Sequence, residues 1–164
     1  MKKGSIILII GIIILIPLMW YLASPLFIDK TVNEELPPSI NNQNQQNPDN
    51  GNIQIIVTEQ DIKYQGNFKD ADSFHKVKGL AKVVNVDGID YLSLENFEST
   101  NGPDLKVYLS EDLNANSFVS LGELKGNIGN QNYQIPDNTD IEKYKHALIW
   151  CEQFSVLFGS AELN

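Results

Sequence analysis

The order of apolar and polar positions divides the chain into three stretches. From Ile6 to Ile28 it runs 23 residues without a charge, and Lys2 and Lys3 stand just ahead. At 1.5 Å per residue a helix of that length spans about 35 Å, enough for a hydrocarbon core of roughly 30 Å with some tilt. The pattern predicts an N-terminal transmembrane helix within residues 1–28, kinked or ended at Pro17, with Trp20 and Tyr21 suited to the outer interface. The two lysines favour a cytoplasmic N-terminus, so the remainder is expected outside, as the extracytoplasmic part of a single-pass protein of the cell membrane. A cleaved signal peptide is the competing reading. Leu22-Ala23-Ser24 before Pro25 makes a poor cleavage site, and the run exceeds the usual apolar core of about 7–15 residues.

Residues 29–52 read as a tether. Nine of the twelve residues from Asn41 to Asn52 are Asn or Gln, the others are Pro48, Asp49 and Gly51, and Pro37 and Pro38 come just before. Such a stretch buries no core and is expected to be disordered, with an end-to-end distance of roughly 27 Å for 24 residues.

From residue 53 to 164 short apolar runs alternate with Gly, Asn and Asp. Val83-Val84-Asn85-Val86, then Asp87-Gly88, then Ile89, Tyr91 and Leu94 predict a two-residue hairpin, because Asp and Gly accept positive φ cheaply. Leu105-Lys106-Val107-Tyr108-Leu109 alternates with period two after the turn Asn101-Gly102-Pro103-Asp104. Further strands are expected from Phe118 to Leu124, from Tyr133 to Ile135 and within the stretch from Ala147 to Phe158. One helical turn is expected between Asp137 and Tyr144, capped by Asp137 or Thr139. The reading is all-β: an antiparallel sandwich or barrel of about seven to eight short strands.

Charge narrows the function. The chain has 12 Lys, no Arg and 21 acidic residues, so the part from Asp29 onward carries a net charge of −11. That acidity, without a guanidinium to grip phosphate, argues against nucleic acid and against anionic headgroups as partners. The single Cys excludes an internal disulfide framework, a CxxC pair and an iron–sulfur cluster. Hydrolase elbows, phosphate loops, HExxH helices and calcium loops do not occur, and Asp137 and Asp140 read as solvated turn carboxylates.

Candidate chemistry therefore falls to Cys151, His75 and His146, with Trp150 beside the thiol. Cys151 lies in a run apolar on both faces, where a free Cys is usually a small buried hydrophobe. A lone thiol outside the membrane, in a more oxidising compartment, is also a candidate redox atom. His75, His146 and Cys151 match the composition of a blue-copper ligand set, but no His follows Cys151 and both Met residues lie outside the domain.

Several short pieces occur in order: Gly66-Asn67-Phe68, His75 with Gly79, Asn101-Gly102-Pro103-Asp104-Leu105, Gln131-Asn132-Tyr133-Gln134-Ile135-Pro136, and Ile149-Trp150-Cys151 before Phe154. Together they resemble the DM-thirteen domain, a small extracytoplasmic β module of Skeletor-type proteins that also occurs beside DOMON and cytochrome-b modules. The resemblance spans roughly Gln65 to Leu163. It implies an electron-transfer role centred on the family's cysteine, here Cys151, with His75 and Gly79 as its His-x-x-x-Gly element and Asp104 in its Gly-Pro-Asp turn. Chemically one Cys can cycle between thiolate and sulfenic acid, form a mixed disulfide with a redox partner protein, or ligate haem or copper, here with His75, and His75, Trp150 and Asp104 are the candidate binding residues. The other function left open is a non-enzymatic surface module that binds protein or carbohydrate, with Cys151 as core packing.

Overall fold

The computed structural model describes residues 11–17, 28–37 and 62–164. Nine strands form in chain order: β1 Ile62–Asn67, β2 Lys69–Asp70, β3 Val77–Val86, β4 Ile89–Ser99, β5 Leu105–Ser110, β6 Phe118–Glu123, β7 Ile128–Gln134, β8 His146–Cys151 and β9 Val156–Glu162. They make two antiparallel sheets, one ordered β1-β3-β4-β7 and the other β2-β9-β8-β5-β6. The all-β expectation stands. The sheets do not close into a barrel, and the strand number exceeds the seven to eight expected because β1 is half polar and β2 has two residues.

Alternation builds the core. Leu105, Val107 and Leu109 of β5 and Ala147, Ile149 and Cys151 of β8 point inward, against Ala81, Val83, Leu92, Leu94 and Phe97 of the other sheet. The Asp87-Gly88 hairpin forms as expected, with φ of 51° and 87° at its two corners. A bulge at Gly79 shifts the β3–β4 register, and with φ +124° and the Glu95 carbonyl 2.8 Å from where a Cβ would stand, this position requires glycine. The turn between β7 and β8 is a single helical turn, with Tyr144 N–H on the Asp140 carbonyl. Its cap is Asp140, whose Oδ1 accepts from Lys143 N–H at 3.1 Å, and not Asp137 or Thr139.

The expected transmembrane helix is not shown. Residues 11–17 are helical, residues 6–10 and 18–27 of the apolar run lie outside the described residues, and among those described no helix is long and apolar enough to cross a membrane. The start of the stretch expected as tether is bound to the domain. Thr31 bridges Ile128 in parallel, and the Val32 and Glu34 amides donate to the Ile128 and Asn130 carbonyls, both at 2.8 Å. Residues 38–61, which hold the Asn/Gln tract, lie outside the described residues.

Candidate functional site

Strand directions gather four connections at one end of the sandwich. Here β2 leads to β3 through 71–76, β4 to β5 through 100–104, β6 to β7 through 124–127, and β8 to β9 through 152–155. Cys151, the last residue of β8, reaches this end from the core side and is 1% exposed. Its Sγ donates to the Pro103 carbonyl at 3.0 Å, so the 101–104 turn covers the thiol. The cover is held from three sides. Glu152 N–H donates to the Asp104 carbonyl at 3.1 Å, Asn101 Nδ2 donates to Asp29 Oδ1 at 3.0 Å, and Gly102 lies against the Phe158 ring. A Cβ on Gly102 would stand 2.5 Å from Phe158 Cζ.

Asp104 occupies the left-handed region at φ 54° and binds Lys106, whose Nζ lies 2.7 Å from Asp104 Oδ1, 3.3 Å from Glu123 and 3.7 Å from Glu152. The Asp104 hydrogen bond, followed by that to Glu123, raises the Lys106 ammonium well above its ordinary range. Trp150 is half-buried and pairs across the sheet with Lys106 and Leu157, so its ring belongs to the outer face of the five-stranded sheet while Cys151 belongs to the inner one.

His75 is at the same end, in the 71–76 connection. Its Nδ1 lies 2.7 Å from Asp72 Oδ2, and Asp72 Oδ1 accepts the Phe74 and His75 amides at 2.7 and 2.8 Å. The His75 bonds and the Phe74 amide hold the Asp72 carboxyl down at about 2. The other side of the imidazole packs on Phe158 at a centroid distance of 4.3 Å, so the Phe158 ring lies between His75 and the turn over the thiol. His146 begins β8 and pairs with Ser110 and Glu162. Five residues of strand put it about 17 Å from Cys151, at the opposite end.

The structure thus brings Cys151, Asp104 and His75 to one end, but it does not make them a ligand set. Among the described residues no group of three His, Cys, Asp or Glu is placed to hold a metal ion. The thiol's polar neighbour is a carbonyl and the imidazole's is a carboxylate, so the residues do not fit the two-His-one-Cys copper arrangement.

Sequence reasoning missed a buried polar cluster beside this end. Gln131 is fully buried, and its Oε1 accepts from the Lys125 and Gly126 amides and from Tyr133 Oη, while its Nε2 donates to the Gly126 carbonyl. Burial raises the Tyr133 phenol. Lys125 Nζ clasps both Glu34 oxygens at 2.9 and 2.7 Å, and Asn132 N–H donates to the same carboxylate. Partial burial opposes ionisation of Glu34, yet the Lys125 and Asn132 bonds outweigh it and the carboxyl sits below its ordinary value. With partners 91 and 98 positions away, no local signal announces Glu34. For Asp72 a signal did exist, because an Asp two and three residues ahead of the amides it accepts is an Asx turn.

A protein-family model described as electron transfer DM13 matches residues 67–163. No curated protein and no solved structure matches the chain.

Proposed function

The chain belongs to the electron transfer DM13 family, and on that premise we propose that it is a membrane-anchored, extracytoplasmic redox module whose exchanging atom is the covered Cys151 sulfur. One observation carries the reading. The thiol lies at the end of a strand, under a turn held by three isolated hydrogen bonds, the Asp104–Lys106 pair and the packing of Gly102 on Phe158. Lifting the 101–104 turn frees Sγ without unpairing β8 from β5 and β9.

The chemistry that one cysteine supports is thiol–disulfide exchange with a partner protein's disulfide. The Cys151 proton passes to solvent, and the thiolate attacks one partner sulfur. A new sulfur–sulfur bond forms, and the partner's other sulfur leaves as thiolate with the electron pair of the broken bond. Cys151 is thereby oxidised and the partner disulfide reduced. A small aromatic disulfide tests the step on the folded full chain. The reading requires a mixed disulfide at Cys151 under native conditions and none in Cys151→Ser. If the wild-type thiol reacts only after global unfolding, the reading fails.

The 1% exposure of Cys151 favours a second reading, a non-enzymatic module that binds protein or carbohydrate and in which the sulfur is core packing. In that case Cys151→Ala lowers stability modestly and leaves ligand capture unchanged.

A further inference from the structure

Outside the helical residues 11–17, the three most exposed large apolar side chains among the described residues are Phe74 at 83%, Phe154 at 63% and Ile28 at 59%. All three stand at the end of the sandwich that carries the 101–104 turn: Phe74 in the β2–β3 connection, Phe154 in the β8–β9 turn, and Ile28 where the chain enters. The exposed apolar residues of the other end, Ile89, Leu113 and Phe118, are at 45% or below, and Phe118 stacks on Tyr108. Phe74 is not on a loose loop, since its own amide is fixed to Asp72.

The entry point says what covers this end. Ile28 closes an uncharged apolar run that begins at Ile6, and the next residue, Asp29, is already bound to Asn101 and Asn127. Lys30 N–H donates to Asn127 Oδ1 at 2.6 Å, and the Val32 and Glu34 amides continue the contact along β7. No spacer separates the apolar run from the fold. Lysines at this end are engaged, Lys76 with Asp70, Lys125 with Glu34 and Lys106 with Asp104, Glu123 and Glu152, so the end offers exposed aromatic rings beside an acidic excess.

We infer that this end is a lipid-docking surface, seated on the outer leaflet of the bilayer that receives the chain's own apolar run, with Phe74 and Phe154 inserted at headgroup level. Exposed Phe rings lose contact with water when they enter the headgroup/acyl boundary, which a surface-seated element reaches to a depth of about 5–10 Å. The acidity of the domain selects zwitterionic over anionic lipid. This inference rests on the membrane-anchored reading.

The test uses the full chain in phosphatidylcholine vesicles, with Trp20→Phe and Trp150→Phe as background and one reporter at a time: Phe74→Trp, Phe154→Trp, or Leu113→Trp at the far end. Brominated phosphatidylcholine is expected to lower emission about twofold or more for the first two and to leave the third within about a tenth of its value, since insertion reaches only some 5–10 Å. If the chain floats with the vesicles while all three reporters stay bright, docking is refuted and anchoring survives, and the exposed rings belong to a protein partner. If the chain does not float, anchoring and docking fail together.

Discussion

Substituting Gly102→Ala probes whether the thiol opens locally. The added Cβ would stand 2.5 and 2.8 Å from Phe158 ring atoms and 3.1 Å from Leu105 Cδ2, so the closed turn must shift or strain. Overpacking of that kind costs about 1–3 kcal/mol. In the wild type, lifting the turn disturbs the partly exposed Asp104–Lys106 ion pair, which adds little, and breaks three hydrogen bonds: Sγ to Pro103, Glu152 to Asp104, and Asn101 to Asp29. At about 1 kcal/mol net for each, opening costs about 3 kcal/mol and slows thiol labelling roughly 10²-fold relative to the unfolded chain. Opening by global unfolding costs about 5–15 kcal/mol and slows it by at least about 10³-fold. The assay is the rate of Cys151 reaction with an aromatic disulfide in rising, sub-denaturing urea. Local opening exposes little surface, so the wild-type rate is expected to stay flat before the unfolding transition, and Gly102→Ala to raise it tenfold or so while keeping it flat. A rate that climbs with urea from the first addition, with the slope of global unfolding in both proteins, refutes the local opening.

Three further outcomes test the packing around this end. Gly129→Ala would set a Cβ 1.9 Å from the Val32 carbonyl at a residue with φ +104°, so hydrogen-exchange protection of the Val32 and Glu34 amides should vanish while the sandwich still unfolds cooperatively; retained protection would contradict the docking of residues 29–34. Gln131→Leu orphans the buried Gly126 amide and carbonyl and should cost about 2–3 kcal/mol, a fall in Tm of roughly 10–20 °C by calorimetry, and an unchanged Tm would show that the cluster adds nothing. Glu34 has a folded pKa below its ordinary 4.5, so its contribution is full above that value and is lost as pH falls through the folded pKa. Because the carboxylate is partly exposed, Glu34→Gln should speed Val32 amide exchange only about two- to fivefold at neutral pH, with the gap closing under acid.

What could be read from the sequence was local. Asp87-Gly88 announced its hairpin because positive φ is a property of two adjacent residues, and β5 announced itself by strict alternation. Strand β1, Ile-Lys-Tyr-Gln-Gly-Asn, did not, since an edge strand with one wet face has little apolar signal. β7 is expected only from Tyr133, because Gly and Asn carry little strand signal, yet it begins at Ile128 and takes an isolated parallel bridge from Thr31 on its free edge. The family was legible from ordered short pieces, and the match over residues 67–163 agrees with the span expected from Gln65 to Leu163. The surroundings of Cys151 were not legible. Pro103 lies 48 positions away, and whether His75 or His146 approaches the thiol depends on strand direction, which puts one behind Phe158 and the other at the far end.

Strand direction also ties the two proposals together. Because β8 and β6 end, and β9, β7, β5 and β3 begin, at the same pole, the thiol's cover, the chain entry and the exposed rings share that pole by topology. Asn101 joins them directly: the residue that opens the turn over Cys151 is hydrogen-bonded to Asp29, the first residue after the apolar run. A domain seated on lipid by this pole presents its hairpin at Asp87-Gly88 and the start of β8 at His146 to bulk water, and neither carries a thiol. A soluble disulfide protein approaching from above would meet the wrong end. If both proposals hold, exchange at Cys151 is restricted to a partner at the membrane surface, and the acidic flanks discourage any approach that depends on anionic headgroups.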